Sequence, residues 1–210
     1  MNERRPDWDA RYSEPGYAYG TEPNDFLVEV AERIPRGPVL CLGEGEGRNA
    51  VFLAGRGFEA TAVDSSRAGL VKAEALARER GVRIVTIPAD VTNFAIMPGT
   101  WSGIISLWLH LPADERAPLH RACVEGLAPG GVFVLEAYTP RQLELKTGGP
   151  ETAERLVTLG ALCEELSGLD FEIGREVERQ IHEGRYHAGR GAVVQVLARR
   201  GLRDREGLGA

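Results

Sequence analysis

Apolar positions along this chain recur in two rhythms, one matching helices and the other short buried strands, and the two alternate. From Asn24 to Ile34, residues Phe26, Leu27, Val30 and Ile34 share one helical face, and Pro35-Arg36-Gly37-Pro38 ends the run. Val39 to Leu42 then reads as a buried strand. A helix is predicted over 49–55, with Val51, Phe52 and Leu53 inward, and a second strand over 60–63 that ends at Asp64. Ser65 and Ser66 are placed to cap a helix carrying Leu70, Ala73 and Ala77, which stops at Gly81. Strands are predicted over 82–87, 103–109 and 132–135. Between the last two, Pro112 opens a helix bearing Leu119, Cys123 and Leu127. A helix over about 152–166 follows a turn-rich loop, Lys146 to Pro150. Strands over 171–181 and 186–198, joined at Glu183-Gly184, form an antiparallel hairpin.

This alternation with short connections predicts an α/β fold: one domain, with a doubly wound, mostly parallel seven-stranded sheet, a C-terminal antiparallel hairpin and helices on both faces. Residues 1–23 read as an N-terminal arm, 24–199 as the domain, and 200–210 as a polar, disordered tail. Ligands of such sheets sit beyond the carboxyl ends of the strands, near the switch in strand order. One cleft should therefore collect Gly43–Gly47, Asp64, Asp90, Ser106–His110 and Ala137–Thr139.

Composition narrows the partners. The chain has 210 residues, 43% apolar and 27% charged, and a net charge of −6 from 25 basic and 31 acidic residues. With no basic tract, neither nucleic acid nor a membrane surface is expected as a partner, and no run is long enough to span a bilayer. The opening MNERRPDWDARY lacks the apolar core of a secretory signal. Cys41, Cys123 and Cys163 are odd in number and form no C-x-x-C pair, which suits a reduced cytoplasm and argues against disulfides or zinc. A small-molecule substrate is the expectation.

Gly43-Glu44-Gly45-Glu46-Gly47 follows a strand and opens a helix, which lets a ligand lie on the backbone. The dinucleotide fingerprint needs glycine three residues after the second, where this chain has Arg48. That spacing disfavours a pyrophosphate and favours a phosphate-free nucleoside such as S-adenosylmethionine. Asp64 is placed to accept both ribose hydroxyls. Asp90 is placed to accept from an adenine amino group, with Val91 against the ring. Both aspartates also fit the common role of helix cap or turn residue.

The run VLCLGEGEGRNAVFLAGRGFEATAVD, Val39 to Asp64, resembles the class I S-adenosylmethionine-dependent methyltransferases, which have a Rossmann-like sheet, and within them the tellurite-resistance type. Gly47-Arg48-Asn49, Leu53-Ala54 and the approach to Asp64 carry the likeness, with Leu127-Ala128-Pro129-Gly130-Gly131 before the fifth strand. Trp8-Asp9-x-Arg11-Tyr12 and Tyr17-x-Tyr19-Gly20-x-x-Pro23-Asn24 resemble that group's leading segment. The resemblance implies S-adenosylmethionine as cofactor, with Gly43, Glu44, Gly45, Arg48, Asn49, Asp64, Ser65, Asp90, Val91 and Leu107 around it. The family's usual D-L-G-C-G is here Cys41-Leu42-Gly43-Glu44-Gly45, so the acidic residue at 41 is missing. Glu44 is the candidate to replace it against the cofactor's positive charge, while Cys41 reads as an inert buried thiol.

Methyl transfer from a sulfonium chiefly requires nucleophile, methyl and sulfur to be held in line. A base is needed when the nucleophile arrives protonated. Tyr12, Tyr17 and Tyr19 are candidates for a lid, and Trp108, His110 and Tyr138 for the acceptor pocket. His182 and Arg185, in the cluster His182 to His187 with Arg190 beyond, are the catalytic candidates. His182 and His187 should face opposite sides of the hairpin, so no shared metal is expected. Two other readings stand beside the methyltransferase: a cofactor-binding protein without turnover, and a nicotinamide-dependent oxidoreductase, which needs glycine at position 48.

Overall fold

The computed structural model describes residues 7–202. The outer parts of the expected arm and tail, residues 1–6 and 203–210, lie outside the described residues. Seven strands form one sheet: β1 (Pro38–Leu42), β2 (Glu59–Asp64), β3 (Val85–Pro88), β4 (Trp101–Leu107), β5 (Leu127–Tyr138), β6 (Leu169–Glu183) and β7 (His187–Arg200). Their order is β3-β2-β1-β4-β5-β7-β6. The first five pair in parallel, and β7 enters antiparallel between β5 and β6. The order reverses between β1 and β4, which puts the switch point beside the glycine loop.

Strand alternation gives the sheet two apolar faces. Leu40, Leu42, Ile104, Phe133 and Leu135 meet Leu119 and Cys123 of α5 (Ala113–Gly126) and Leu162 of α7 (Leu159–Glu165). On the other face Val39, Cys41, Ile105, Val132 and Val134 meet Phe26 and Leu27 of α2 (Asp25–Val30), Leu53 of α3 (Arg48–Gly55) and Leu70 of α4 (Arg67–Glu79). Cys41 is fully buried there, and desolvation pushes its thiol well above the usual range, as expected for an inert core sulfur.

Several boundaries differ from the sequence reading, each for a local reason. The helix after Asn24 tightens into a 3₁₀ turn at Ala31–Arg33. The third strand starts later, at Val85, because the Val82 N–H still closes the end of α4 on the Ala77 carbonyl. The fourth ends at Leu107, since Trp108 is left-handed (φ 59°). Pro112 is the N-cap of α5 rather than part of its first turn. The helix expected over 152–166 splits into a 3₁₀ turn (Ala153–Arg155) and α7. Strand β7 runs on to Arg200, whose guanidinium holds the Glu125 and Leu127 carbonyls, so the tail begins later than expected. Two short helices were not anticipated: α1 (Trp8–Tyr12) and α6 (Gln142–Leu145).

The arm is tied to the glycine loop and to α4 at two places. Asp9 Oδ1 accepts from Ser66 Oγ (2.6 Å) and the Ala68 N–H (3.1 Å), so a residue of α1 caps the start of α4. Glu46 Oε2 accepts the Ala18 N–H (2.7 Å), and its Oε1 takes Lys72 Nζ (2.9 Å), which also reaches the Glu14 and Gly16 carbonyls.

Candidate active site

A cavity of about 490 Å³ opens over the carboxyl ends of the strands, within the range of small-molecule sites. Its floor on one side is the glycine loop. Gly47 (φ 89°) must be glycine on two counts, because a Cβ there would also sit 2.7 Å from the Ala73 Cα. The Gly45 N–H donates to Asp64 Oδ2 (2.8 Å) and the Ser66 N–H to Oδ1 (2.8 Å), so loop and β2 end are locked together. Burial raises the Asp64 carboxyl above its ordinary range, against the pull of those two N–H groups.

Glu44 has a structural task beside the one its position suggested. Its Oε1 accepts the N–H groups of Asn49 and Ala50 (2.8 Å each), supplying the cap that Gly47 has no side chain to give α3. Burial pushes its pKa up to about 7, although those N–H groups and Arg48 lower it. The carboxylate still lines the cavity, together with Gly43, Arg48, Asn49, Asp64, Ser65, Asp90, Val91 and Leu107. Asp90 does what its turn position asks and more: Oδ1 accepts from Thr92 N–H (3.0 Å) and Oγ1 (2.8 Å) while the residue faces the cavity.

The ends of β4 and β7 and the arm build the opposite wall, which is aromatic. Trp108, His110, Tyr19, Tyr186 and His187 line it. The His187 ring lies 4.7 Å from Tyr19 and 4.7 Å from Trp108, centroid to centroid. Arg11 NH1 donates to the Tyr19 hydroxyl (3.0 Å), with its guanidinium over the Tyr186 ring (4.5 Å). His110 Nε2 accepts the Tyr138 N–H (3.2 Å), and burial draws its pKa down to about 4.

Behind that wall is a buried ionic network. Glu183 Oε2 accepts from Trp108 Nε1 (2.6 Å) and from Arg48, and its Oε1 from Asn24 Nδ2 (3.0 Å) and Arg179 (2.7 Å). Arg179 also grips the fully buried Glu136, which takes Gln195 Nε2 as well (2.7 Å). The network joins the start of α2, α3, the end of β4, β5, β6 and β7.

Five expected site residues do not line the cavity. Gly45 is covered by Tyr12, whose hydroxyl would be 2.5 Å from a Cβ there. Tyr17 packs on α4, with its hydroxyl on the Lys72 carbonyl (3.4 Å). Tyr138 is buried behind Trp108 and His110. His182 and Arg185 are exposed, and Arg185 pairs with Glu14 (3.1 Å). The pleat explains His182: Glu183 pairs with His187 and His182 with Ala188, so the two histidines point to opposite faces and His187 is the inward one. Trp8, Arg11 and the Gly148–Glu151 loop are cavity residues that the sequence reading did not select, while Glu46 and His187 entered it only within the Gly43–Gly47 run and the His182–His187 cluster. The strand register singles out His187; Trp8 and Arg11 reach the cavity on the short α1, and Gly148–Glu151 on irregular chain.

Comparison with known proteins agrees with this geometry. Residues 39–131 match the methyltransferase domain family. A 2-heptyl-1-hydroxyquinolin-4(1H)-one methyltransferase of Mycobacteroides abscessus is 28% identical over 139 residues, 65% of this chain and 61% of that protein, so under two thirds of the relative's length is covered. A structure solved in work on the conversion of a disulfide bond into a thioacetal group during echinomycin biosynthesis superposes with a TM-score of 0.77 at 19% identity, over 94% of this chain and 92% of the other. TehB from Haemophilus influenzae superposes with a TM-score of 0.70 at 18% identity, over 92% of this chain and 65% of the other. Methyltransferase-domain sequence and seven-stranded architecture thus coincide on the half of the sheet that holds the glycine loop.

Proposed function

We propose that this protein is an S-adenosylmethionine-dependent methyltransferase acting on a small organic molecule. The observation that carries it is one cavity with a nucleoside-type cradle, Gly43, Asp64 and Asp90, facing an aromatic wall at β4 and β7. The cradle fits the cofactor. Asp64 keeps lone pairs for hydroxyls because each oxygen holds one N–H, and Asp90 with Val91 stands at the next strand end. When bound, the cofactor supplies an electrophilic methyl group on a sulfonium. The chain's own part is to position: the arm covers the loop, and the aromatic wall orients a planar acceptor.

The relative's hydroxyquinolone is the kind of acceptor such a wall suits. A tellurite-type oxyanion is supported less, because Arg48 is spent on Glu183 and Arg11 on Tyr19 and two rings. Buried free thiols at Cys41 and Cys123 fit a reducing compartment. Calorimetric titration with S-adenosylmethionine, S-adenosylhomocysteine and NADH tests the reading. Micromolar binding of the first two and none of NADH is expected; NADH binding alone would return the oxidoreductase. Binding without turnover of 2-heptyl-1-hydroxyquinolin-4(1H)-one, tellurite or related acceptors would point to a binding protein.

A further inference from the structure

Trp108 stands in the cavity wall at a conformational cost. It is one of two non-glycine residues at positive φ among the described residues, and a bulky aromatic does not choose the left-handed region (φ 59°) for backbone reasons. The turn has a visible effect: β4 ends at Leu107, and residues 107–111 all line the cavity. Two hydrogen bonds hold it. The Trp108 N–H donates to the Glu136 carbonyl (2.9 Å), and its indole Nε1–H donates to Glu183 Oε2 (2.6 Å). Packing against Tyr138 (4.6 Å between centroids) and His187 (4.7 Å) fixes where the indole lies, but an apolar contact does not choose which edge it turns to the cavity. The single N–H of the ring makes that choice. Glu183 itself lies behind the wall, with its side chain 4% exposed. Burial would raise its carboxyl, but Arg48 and Arg179 outweigh that and hold it below the ordinary range, so the indole meets a charge.

Resting on the reading above, we propose that Glu183 is a positioning residue for the methyl acceptor, acting through the Trp108 indole and the left-handed turn that it secures. Its Oε2 also takes Arg48 at the start of α3, beside the glycine loop, so the acceptor wall and the donor cradle are set from one atom. Its Oε1 is held by Asn24 and Arg179, which fixes the carboxylate before any ligand arrives. With the indole fixed, Leu109 and His110 follow it at set places along the wall. Without that anchor the strained turn relaxes, the ring swings, and the wall loses its fit to a planar acceptor.

The chain has three tryptophans, so an amide–indole nitrogen spectrum identifies the Trp108 Nε1–H by its loss in Trp108→Phe. In wild type this signal should lie downfield and exchange slowly with solvent. In Glu183→Gln it should move upfield and exchange about tenfold faster, the value of one hydrogen bond. Glu183→Asp keeps the charge beside Arg48 and Arg179 but draws the oxygens back; it should move the signal the same way, and serves where the glutamine variant does not fold. Binding of 2-heptyl-1-hydroxyquinolin-4(1H)-one in the presence of S-adenosylhomocysteine is the second readout. Either Glu183 substitution should weaken it about tenfold alone, and should have no further effect in Trp108→Phe, where there is no indole to hold. A merely structural Glu183 would cost the same in both backgrounds, and that result overturns the proposal, as does an indole signal unmoved by either variant. Failure of the quinolone to bind wild type that does bind S-adenosylhomocysteine overturns the acceptor role. Failure of both to bind overturns the proposed function instead, while the indole signal still decides whether Glu183 holds the ring.

Discussion

At the level of single residues, carboxylates here do double work as backbone acceptors and cavity walls. Asp64 holds the Gly45 and Ser66 N–H groups. Asp64→Ala should therefore weaken S-adenosylmethionine binding by about 1–3 kcal/mol in calorimetry, and Asp64→Asn by less. Unchanged affinity in the alanine variant would remove Asp64 from the nucleoside cradle. Glu44 is held at about 7, above its ordinary 4.5, so the folded chain keeps a proton that the unfolded chain releases. Its contribution to stability is complete below 4.5 and is lost as pH rises through 7. Denaturant titrations across that window should show wild type falling relative to Glu44→Gln, and parallel curves would refute the raised value. These carboxylate roles were only half visible in the sequence. The spacing of Asp64 and Asp90 placed them at strand ends, but nothing in it tells that Glu44 bends back to cap a helix five residues later.

Among the elements, the C-terminal hairpin carries more than a closing edge. Arg179 on β6 is the cation between Glu136 and Glu183, whose side chains are 0% and 4% exposed. Arg179→Ala leaves the buried Glu136 to Asn24 and Gln195 and leaves Glu183 to Arg48, and should cost roughly 3–5 kcal/mol in denaturant unfolding, with Arg179→Lys recovering part. Helices α5 and α7 are joined the same way. Burial would raise Glu165, but His120 (2.7 Å) and a two-pronged Arg116 hold it down to about 2. A depressed carboxyl stabilises the fold above its unfolded value of 4.5 and loses that contribution as pH falls through 2. Wild type should thus lose stability on acidification faster than Glu165→Gln does. The strands and most helices were legible from period and punctuation, since apolar alternation is imposed by the two covered faces. The split helix around residues 153–165 was not, because a helical pattern does not show where a chain turns to pack on its neighbours.

On the scale of the whole molecule, the arm and the hairpin tip close the cavity against each other. A Cβ on Gly184 (φ 70°) would lie 2.4 Å from the Tyr19 backbone, and the Arg185 N–H donates to the Ala18 carbonyl (2.9 Å). Gly184→Ala should lift the arm away, and Lys72→Ala should loosen it at its other anchor. In both variants hydrogen exchange at residues 8–20 should speed up and dissociation of S-adenosylhomocysteine should quicken. Exchange confined to the hairpin would separate the arm from closure. No described helix is long and apolar enough to cross a membrane.

The two halves of the cavity come from different stretches of chain. Gly43, Asp64 and Asp90 lie within one contiguous run of the sequence, whereas Trp8, Tyr19, Trp108, Tyr186 and His187 come from the arm, one strand end and the hairpin. Drift or design in the second set can therefore rewrite what is modified while leaving untouched the part that binds the donor. One inherited scaffold can in this way diversify its customers by varying its two ends.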